Sequence, residues 1–232
     1  MVKIQFIIVG WHFNAFPDLI EGLTELNKNN EEVDVFWACH REPSADIKRD
    51  FNYKVFPNLG LEDGAYQQAL DYLEIADDTI LFLMHDDLLV KDWGFIQESI
   101  DRIVQGFAFV GNGRNYAASI DLQATVRGKS YIDFVKEEAK HLFTFSGTVL
   151  TLRESFICTT RKYLRDVYDF EVIWEEPKPD INGNYHIGGI GNLQQSLLGY
   201  KITKVFGPSR VTYLSDTYQD SEYLYEYARG KK

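Results

Sequence analysis

Apolar positions in the first hundred residues follow two periods in turn. Lys3 to Val9 (KIQFIIV), Val33 to Cys39 (VDVFWAC), Tyr53 to Asn58 (YKVFPN) and Thr79 to Met84 (TILFLM) are short, β-branched or aromatic runs that predict strands. Between the first two, FPDLIEGLTEL sets Leu19, Ile20, Leu23 and Leu26 on one helical face, with Pro17 suited to a first turn. Between the last two, EDGAYQQALDYLEIA repeats Ala65, Ala69, Leu70, Leu73 and Ala76 at helical spacing. TILFLM has no polar alternation, as befits a strand covered on both faces. Strand and helix in alternation predict an α/β fold with a mostly parallel central sheet flanked by helices.

In such sheets ligands lie beyond the carboxyl ends of the strands. That rule selects GWHFN after the first strand, HRE after the second, NLG after the third and HDD after the fourth. The second half is less regular. QGFAFVGNG and HLFTFSGTVLTLR predict strands, DWGFIQESIDRI and RESFICTTRKYLRDVYDF helices, and KPDINGNYHIGGIGN a polar, glycine-rich loop suited to a mobile lid. NLQQSLLGY then predicts a short helix and KITKVFG a strand. The tail SDTYQDSEYLYEYARGKK reads as a packed helix or a partly ordered arm, and with no repeat or linker a single domain is expected over residues 1–232.

Composition narrows the function classes. With 232 residues, 45% of them hydrophobic and 15% aromatic, the chain can bury a large core. A net charge of −11, with no Lys/Arg cluster before the terminal Lys231-Lys232, argues against a nucleic-acid surface. It leaves room for a phosphorylated small molecule held through a metal. The two cysteines, Cys39 and Cys158, make no metal-type spacing and no disulfide framework, so a reducing cytoplasm is the expected setting. MVKIQFIIVGW reads as a first strand rather than a signal peptide, and no window reaches the roughly 18 to 20 apolar residues of a membrane span. No Ser-His-Asp arrangement, cysteine-nucleophile motif or Walker loop is present.

His85-Asp86-Asp87 carries the chemistry. Adjacent carboxylates at a buried strand end repel each other and lose hydration, and a hard divalent cation compensates both while keeping positions open for diphosphate oxygens. His85 can add a nitrogen ligand or orient a carboxylate. The plainer reading makes the acids solvated loop residues that cap the next helix.

The stretch NLGLEDGAYQQALDYLEIADDTILFLMHDDLLV resembles family 2 glycosyltransferases of the GT-A fold. Asn58, Gly60, Gly64 and Ala69 stand in the family's asparagine-glycine segment and helix, His85-Asp86-Asp87 stands where an Asp-x-Asp motif would be, and Trp93 follows. The resemblance is good over roughly residues 3–100 and thin beyond. It implies a nucleoside diphosphate sugar donor, a glycan or other hydroxyl acceptor, and Mn²⁺ or Mg²⁺ on Asp87, with His85 and a C-terminal histidine, His186, as further ligands. Asp86 would lie near the ribose or behind the metal. Gly10, Trp11, Phe13 and Asn14 would wall the nucleotide, with Trp11 or Phe13 stacking on the base, and Asn58 and Gly64 would complete the donor side. It also divides the domain into a nucleotide-sugar half, 1–112, and an acceptor half with the tail, 113–232. Ser146 and Gly147, ending a strand, and Trp174 are the acceptor-side candidates; Arg114, after the strand FAFV, either contacts a donor phosphate or an anionic acceptor or is a surface arginine in a turn.

Two departures stand out. The aspartate that usually ends the second strand is replaced by Ala38-Cys39-His40-Arg41, leaving His40 or Arg41 to read the base. GGIGNLQQSLLGYKI keeps Gly199-Tyr200-Lys201 but has no acid where inverting relatives carry their catalytic base. Asp180, Glu175 or Glu176 could serve as the base; the reaction could be retaining; or the protein could bind a nucleotide sugar without transferring it. A nucleotidyltransferase is the remaining alternative, although GWHFNAFPD lacks the glycine-rich, cationic phosphate loop such an enzyme normally has.

Overall fold

Four parallel strands form one side of the sheet in the order that the strand-helix alternation requires. β1 (Ile4–Gly10) lies between β2 (Val33–Cys39) and β4 (Ile80–His85), parallel to both, and β3 (Asn52–Val55) extends the sheet beyond β2. The computed structural model describes residues 2–13, 17–117, 149–152, 155–170, 172, 188–218 and 221–226. Helix α1 (Pro17–Asn29) follows its predicted stripe with Pro17 opening it, α3 (Leu61–Tyr72) carries Ala65, Ala69 and Leu70 but ends before Leu73 and Ala76, and α2 (Ala45–Asp50) joins β2 to β3.

The sheet continues past β4 with β8 (Phe156–Thr160), β6 (Phe109–Ala117) and β7 (Val149–Thr151), while β9 (Val211–Tyr218) lies parallel beside β6. β8 runs antiparallel to both β4 and β6. The sheet is therefore mostly parallel, with β8 inserted antiparallel and β7 antiparallel to β6. A separate antiparallel pair joins β5 (Leu88–Val90), directly after the His-Asp-Asp motif, to β10 (Leu224–Glu226). Helices α4 (Phe95–Val104), α5 (Arg161–Asp166) and α6 (Gly188–Phe206) complete the described elements.

Strand alternation feeds two cores. Phe6, Ile8, Phe82 and Met84 face one side with Leu19, Leu23, Trp37 and Phe95, while Ile7, Val9, Leu81 and Leu83 face the other with Tyr66, Leu164 and Ile202. Phe6 and Phe82 stack across β1 and β4 with ring centroids 4.7 Å apart. Each such side chain contributes about 1.5–3 kcal/mol of burial, which is why β1 and β4 have no solvent face.

Three expectations are corrected. Residues 153–170 were expected to be one helix, but among the described residues Phe156–Thr160 is a strand and only Arg161–Asp166 is helical. The run FICTT is β-branched and buried, and Thr160 then caps α5 by accepting from the Tyr163 amide at 3.2 Å. KITKVFG is not a strand: α6 runs unbroken from Gly188, through the glycines assigned to a lid, to Phe206. Its buried stripe, Gln194, Leu197, Leu198, Lys201 and Ile202, has the i, i+3, i+4, i+7, i+8 spacing of a helix, and this burial outweighs the β-branched residues near its end. Within the described part of the tail, Ser215–Tyr218 ends β9 (Val211–Tyr218) and Leu224–Glu226 forms β10 rather than a helix, because β6 and β5 supply pairing edges far away in sequence.

Candidate active site

The carboxyl ends of β1, β2 and β4 lie level, since Gly10 pairs with Cys39 and Val9 with His85. At this edge the motif splits by strand alternation. His85 turns to the α3 side and stacks on Tyr66, with ring centroids 6.4 Å apart. Its Nδ1 lies 3.7 Å from Asp87 Oδ1, an ion pair when the imidazole is protonated. Asp86 turns the other way. Its Oδ2 accepts three backbone N–H groups, from Trp11 at 2.9 Å, His12 at 2.6 Å and Phe13 at 2.7 Å.

This arrangement explains the first strand's GWHF loop. Phe13 has φ +58°, so successive amides converge into a concavity of the kind that binds anions. Asp86 fills it. Burial raises the Asp86 pKa above the ordinary aspartate value, with the three amides and the His12 charge pulling the other way. A side chain expected near the ribose or metal thus has one oxygen committed to holding the loop.

The loop presents its side chains unequally. Trp11 is 40% exposed, whereas the Phe13 ring is buried beside Trp37, so Trp11 is the aromatic that offers a stacking surface. Arg41 lies over both rings, 5.4 Å from each centroid. His40 packs edge-on to Trp11 and points its Nε2–H at the Leu61 carbonyl, 3.1 Å away. Burial lowers its pKa, which favours the neutral ring. His40 therefore links the end of β2 to the start of α3. Asn58 Oδ1 and His12 Nε2 are among the buried polar atoms that make no hydrogen bond within the described residues. His12 was not singled out from the sequence, although it sits inside the loop selected by strand-end position.

The remaining predicted residues divide between scaffold and undescribed chain. Gly64 is packed so tightly that a Cβ there would lie 1.8 Å from the Leu59 carbonyl oxygen, so it shapes the Asn58–Gly60 turn. Trp93, four residues after Leu89, packs over α1, where a Cβ on Gly22 would meet its ring at 2.0 Å. The backbone of Arg114 lies in β6. Asn14, Ser146, Gly147, Trp174, Glu175, Glu176, Asp180 and His186 lie outside the described residues.

On the α6 side, the segment GGIGNLQQSLLGYKI, which has no acid, forms helix from Gly188. Gln194 is buried and donates to the Gly60 carbonyl at 3.1 Å and to Asp63 Oδ2 at 3.3 Å, tying α6 to the start of α3. Gly199-Tyr200-Lys201 lies within the helix, and Lys201 Nζ donates to the carbonyls of Tyr168 and Asp169 at 3.2 and 2.7 Å. The Cys39 thiol at the site edge is pushed up to about 12 by burial, with Asp86 and Glu42 adding to it, which removes it as a nucleophile. Among the described residues, no group of three or more His, Cys, Asp or Glu is arranged to hold a metal, and no helix is long and apolar enough to cross a membrane.

No protein-family model and no curated protein matches this sequence. Solved structures do match the fold. Glucosyl-3-phosphoglycerate synthase from Mycobacterium tuberculosis, in complex with Mn²⁺, UDP-glucose and phosphoglyceric acid, is similar over 99% of this chain and 73% of its own, with a TM-score of 0.51 and 11% identity. The fold is GT-A. A second structure, a mycobacterial protein, is similar over 99% of this chain and 68% of its own, with a TM-score of 0.52 and 12% identity. The GT-A architecture places the ends of β1, β2 and β4, with the loop held by Asp86, along one sheet edge.

Proposed function

We propose that this chain is a divalent-metal-dependent glycosyltransferase that moves a sugar from a nucleoside diphosphate donor to a hydroxyl acceptor. The observation that carries the reading is the split of the motif on a GT-A sheet: His85 and Asp87 converge on one side, while Asp86 fixes a loop that displays Trp11 on the other. A solved GT-A neighbour binds Mn²⁺ and UDP-glucose, which supports the same ligand class here.

The donor set fits the expected ion. Asp87 offers hard oxygen and His85 nitrogen, two ligands that leave positions for diphosphate oxygens. Bound there, Mn²⁺ or Mg²⁺ would neutralise charge gathering on the departing nucleoside diphosphate. Trp11 provides the base with a stacking face, and Arg41 can close over it. Asn58 Oδ1 stands ready for a donor N–H or O–H group, and His12 Nε2 for a polar group of the donor. Residues 1–112 then form the donor half and 113–232 the acceptor half. Within the latter we assign Ser146, Gly147 and Trp174 to the acceptor, His186 to the metal, and Asp180, Glu175 or Glu176 to proton removal from the acceptor hydroxyl.

The test is calorimetric titration with a panel of nucleoside diphosphates and nucleotide sugars, with and without Mn²⁺. At least one nucleotide should bind more tightly with Mn²⁺, and Asp87→Ala should weaken that binding by over about tenfold while leaving the melting temperature nearly unchanged. If no nucleotide binds, or if Asp87→Ala binds like the wild type, the reading is lost. Mass spectrometry of donor consumption with hydroxyl acceptors then separates transfer from binding alone.

A further inference from the structure

We infer that Tyr66 and Phe170 are positioning residues that fix the His85 imidazole by ring stacking, and that this is why a histidine stands at the first position of the motif. The inference rests on the metal-dependent reading above, with His85 as a ligand. Tyr66 is fully buried and stacks on two rings: His85 at 6.4 Å with an interplanar angle of 24°, and Phe170 at 5.6 Å with an angle of 25°. Both pairs fall in the centroid range of offset stacking, which contributes about 0.5–1.5 kcal/mol per pair beyond area burial.

The far end of the stack is itself held firmly. Phe170 follows Tyr168 and Asp169, which take φ values of +60° and +55°, a left-handed pair costing roughly 1–2 kcal/mol per residue without glycine. Such a conformation persists only where its surroundings over-determine it. Here Arg161 forks onto the Asp169 carboxylate at 2.5 and 3.0 Å, Lys201 from α6 binds both carbonyls, and the Phe170 amide donates to Gln67 Oε1 at 3.2 Å. Phe170 is thus anchored from α5, α6 and α3, and Tyr66 passes that position to His85.

A carboxylate cannot take part in this stack, whereas an imidazole can. Holding the ring plane fixes the in-plane directions of both ring nitrogens, and Nδ1 faces Asp87. The stack therefore sets the angle at which His85 meets an ion shared with Asp87.

The experiment measures Mn²⁺ affinity by electron paramagnetic resonance of the unbound ion, in the presence of UDP, on the full-length chain. Tyr66→Leu and Phe170→Leu should each weaken Mn²⁺ binding about tenfold in protein that retains the wild-type circular dichroism spectrum. Tyr66→Phe, which keeps the ring, should restore wild-type affinity. A merely structural role would lower the melting temperature of the folded variants without shifting Mn²⁺ affinity. If folded Phe170→Leu or Tyr66→Leu binds Mn²⁺ like the wild type, or if Tyr66→Phe fails as Leu does, this inference alone is overturned. If the wild-type chain binds no Mn²⁺, both the functional reading and this inference fall.

Discussion

Removing the Asp86 carboxylate should release the β1 loop. In Asp86→Ala the amides of Trp11, His12 and Phe13 lose their shared acceptor, and of these the Phe13 amide is buried while the other two are partly solvated. An unsatisfied buried donor costs about 1–3 kcal/mol and a partly hydrated one about 0.5–1.5, so the loss is roughly 2–6 kcal/mol. Against this stands the relief of no longer burying a charge, which matters because burial is the largest influence on the Asp86 pKa. The net expectation is about 2–4 kcal/mol, or roughly 4–16 °C in melting temperature for a chain of this size. Asp86→Asn keeps an accepting oxygen and discards the charge, so it should stay within about 1 kcal/mol of the wild type.

The pH dependence follows from the same balance. The folded pKa of Asp86 lies above its ordinary value of 3.8, so the folded state holds this proton more tightly than the unfolded chain. Its contribution to stability is full below 3.8 and is lost as pH rises through the folded value. Asp86→Asn lacks that loss, and its melting temperature should gain on the wild type as pH rises from about 4 to 7. Differential scanning calorimetry across this range measures both effects. The reasoning is refuted if Asp86→Ala melts within about 1 °C of the wild type, or if Asp86→Asn falls as far as Asp86→Ala.

Two further substitutions probe the neighbouring contacts. Gly22→Ala should drive a methyl into the Trp93 ring and cost about 1–3 kcal/mol, and pairing it with Trp93→Leu should recover part of that loss in thermal melts; equal losses in the single and double variants would show that the contact does not matter. Trp11→Ala should weaken nucleotide binding by about 1–3 kcal/mol, the worth of one stacked base, while leaving thermal stability nearly unchanged, because the indole is 40% exposed; unchanged calorimetric affinity would remove Trp11 from the base site.

What the sequence disclosed was whatever its local periodicity encodes. β1, β2 and β4 are unbroken apolar runs, α1 and α3 are striped, and a strand-helix alternation of that kind has essentially one solution, a parallel sheet with its ligand edge at Gly10, Cys39 and His85. What stayed hidden depends on partners distant in the chain. Phe156–Thr160 is flanked by charged residues at helical spacing, and only the slot between β4 and β6 makes it a strand. The β-branched Ile202, Thr203 and Val205 suggested a strand until the buried stripe from Gln194 to Ile202 showed a helix. β9 and β10 take their edges from strands about a hundred residues earlier or more.

The roles within the motif follow from strand alternation. A strand turns successive side chains to opposite faces, so His85 must leave β4 with Leu81 and Leu83, and Asp86 with Phe82 and Met84. The first face is lined by Tyr66, which explains the stack on His85; the second contains Phe13 and Trp37, which explains why Asp86 meets the β1 loop. Asp87, the next residue on the His85 side, returns to it at 3.7 Å. Two adjacent acids that would repel in one pocket are thus sent to separate tasks, one binding backbone amides and the other facing the histidine. The cost of placing both at a buried strand end is met from different sources, hydrogen bonding for Asp86 and, under the proposed function, a divalent ion for Asp87.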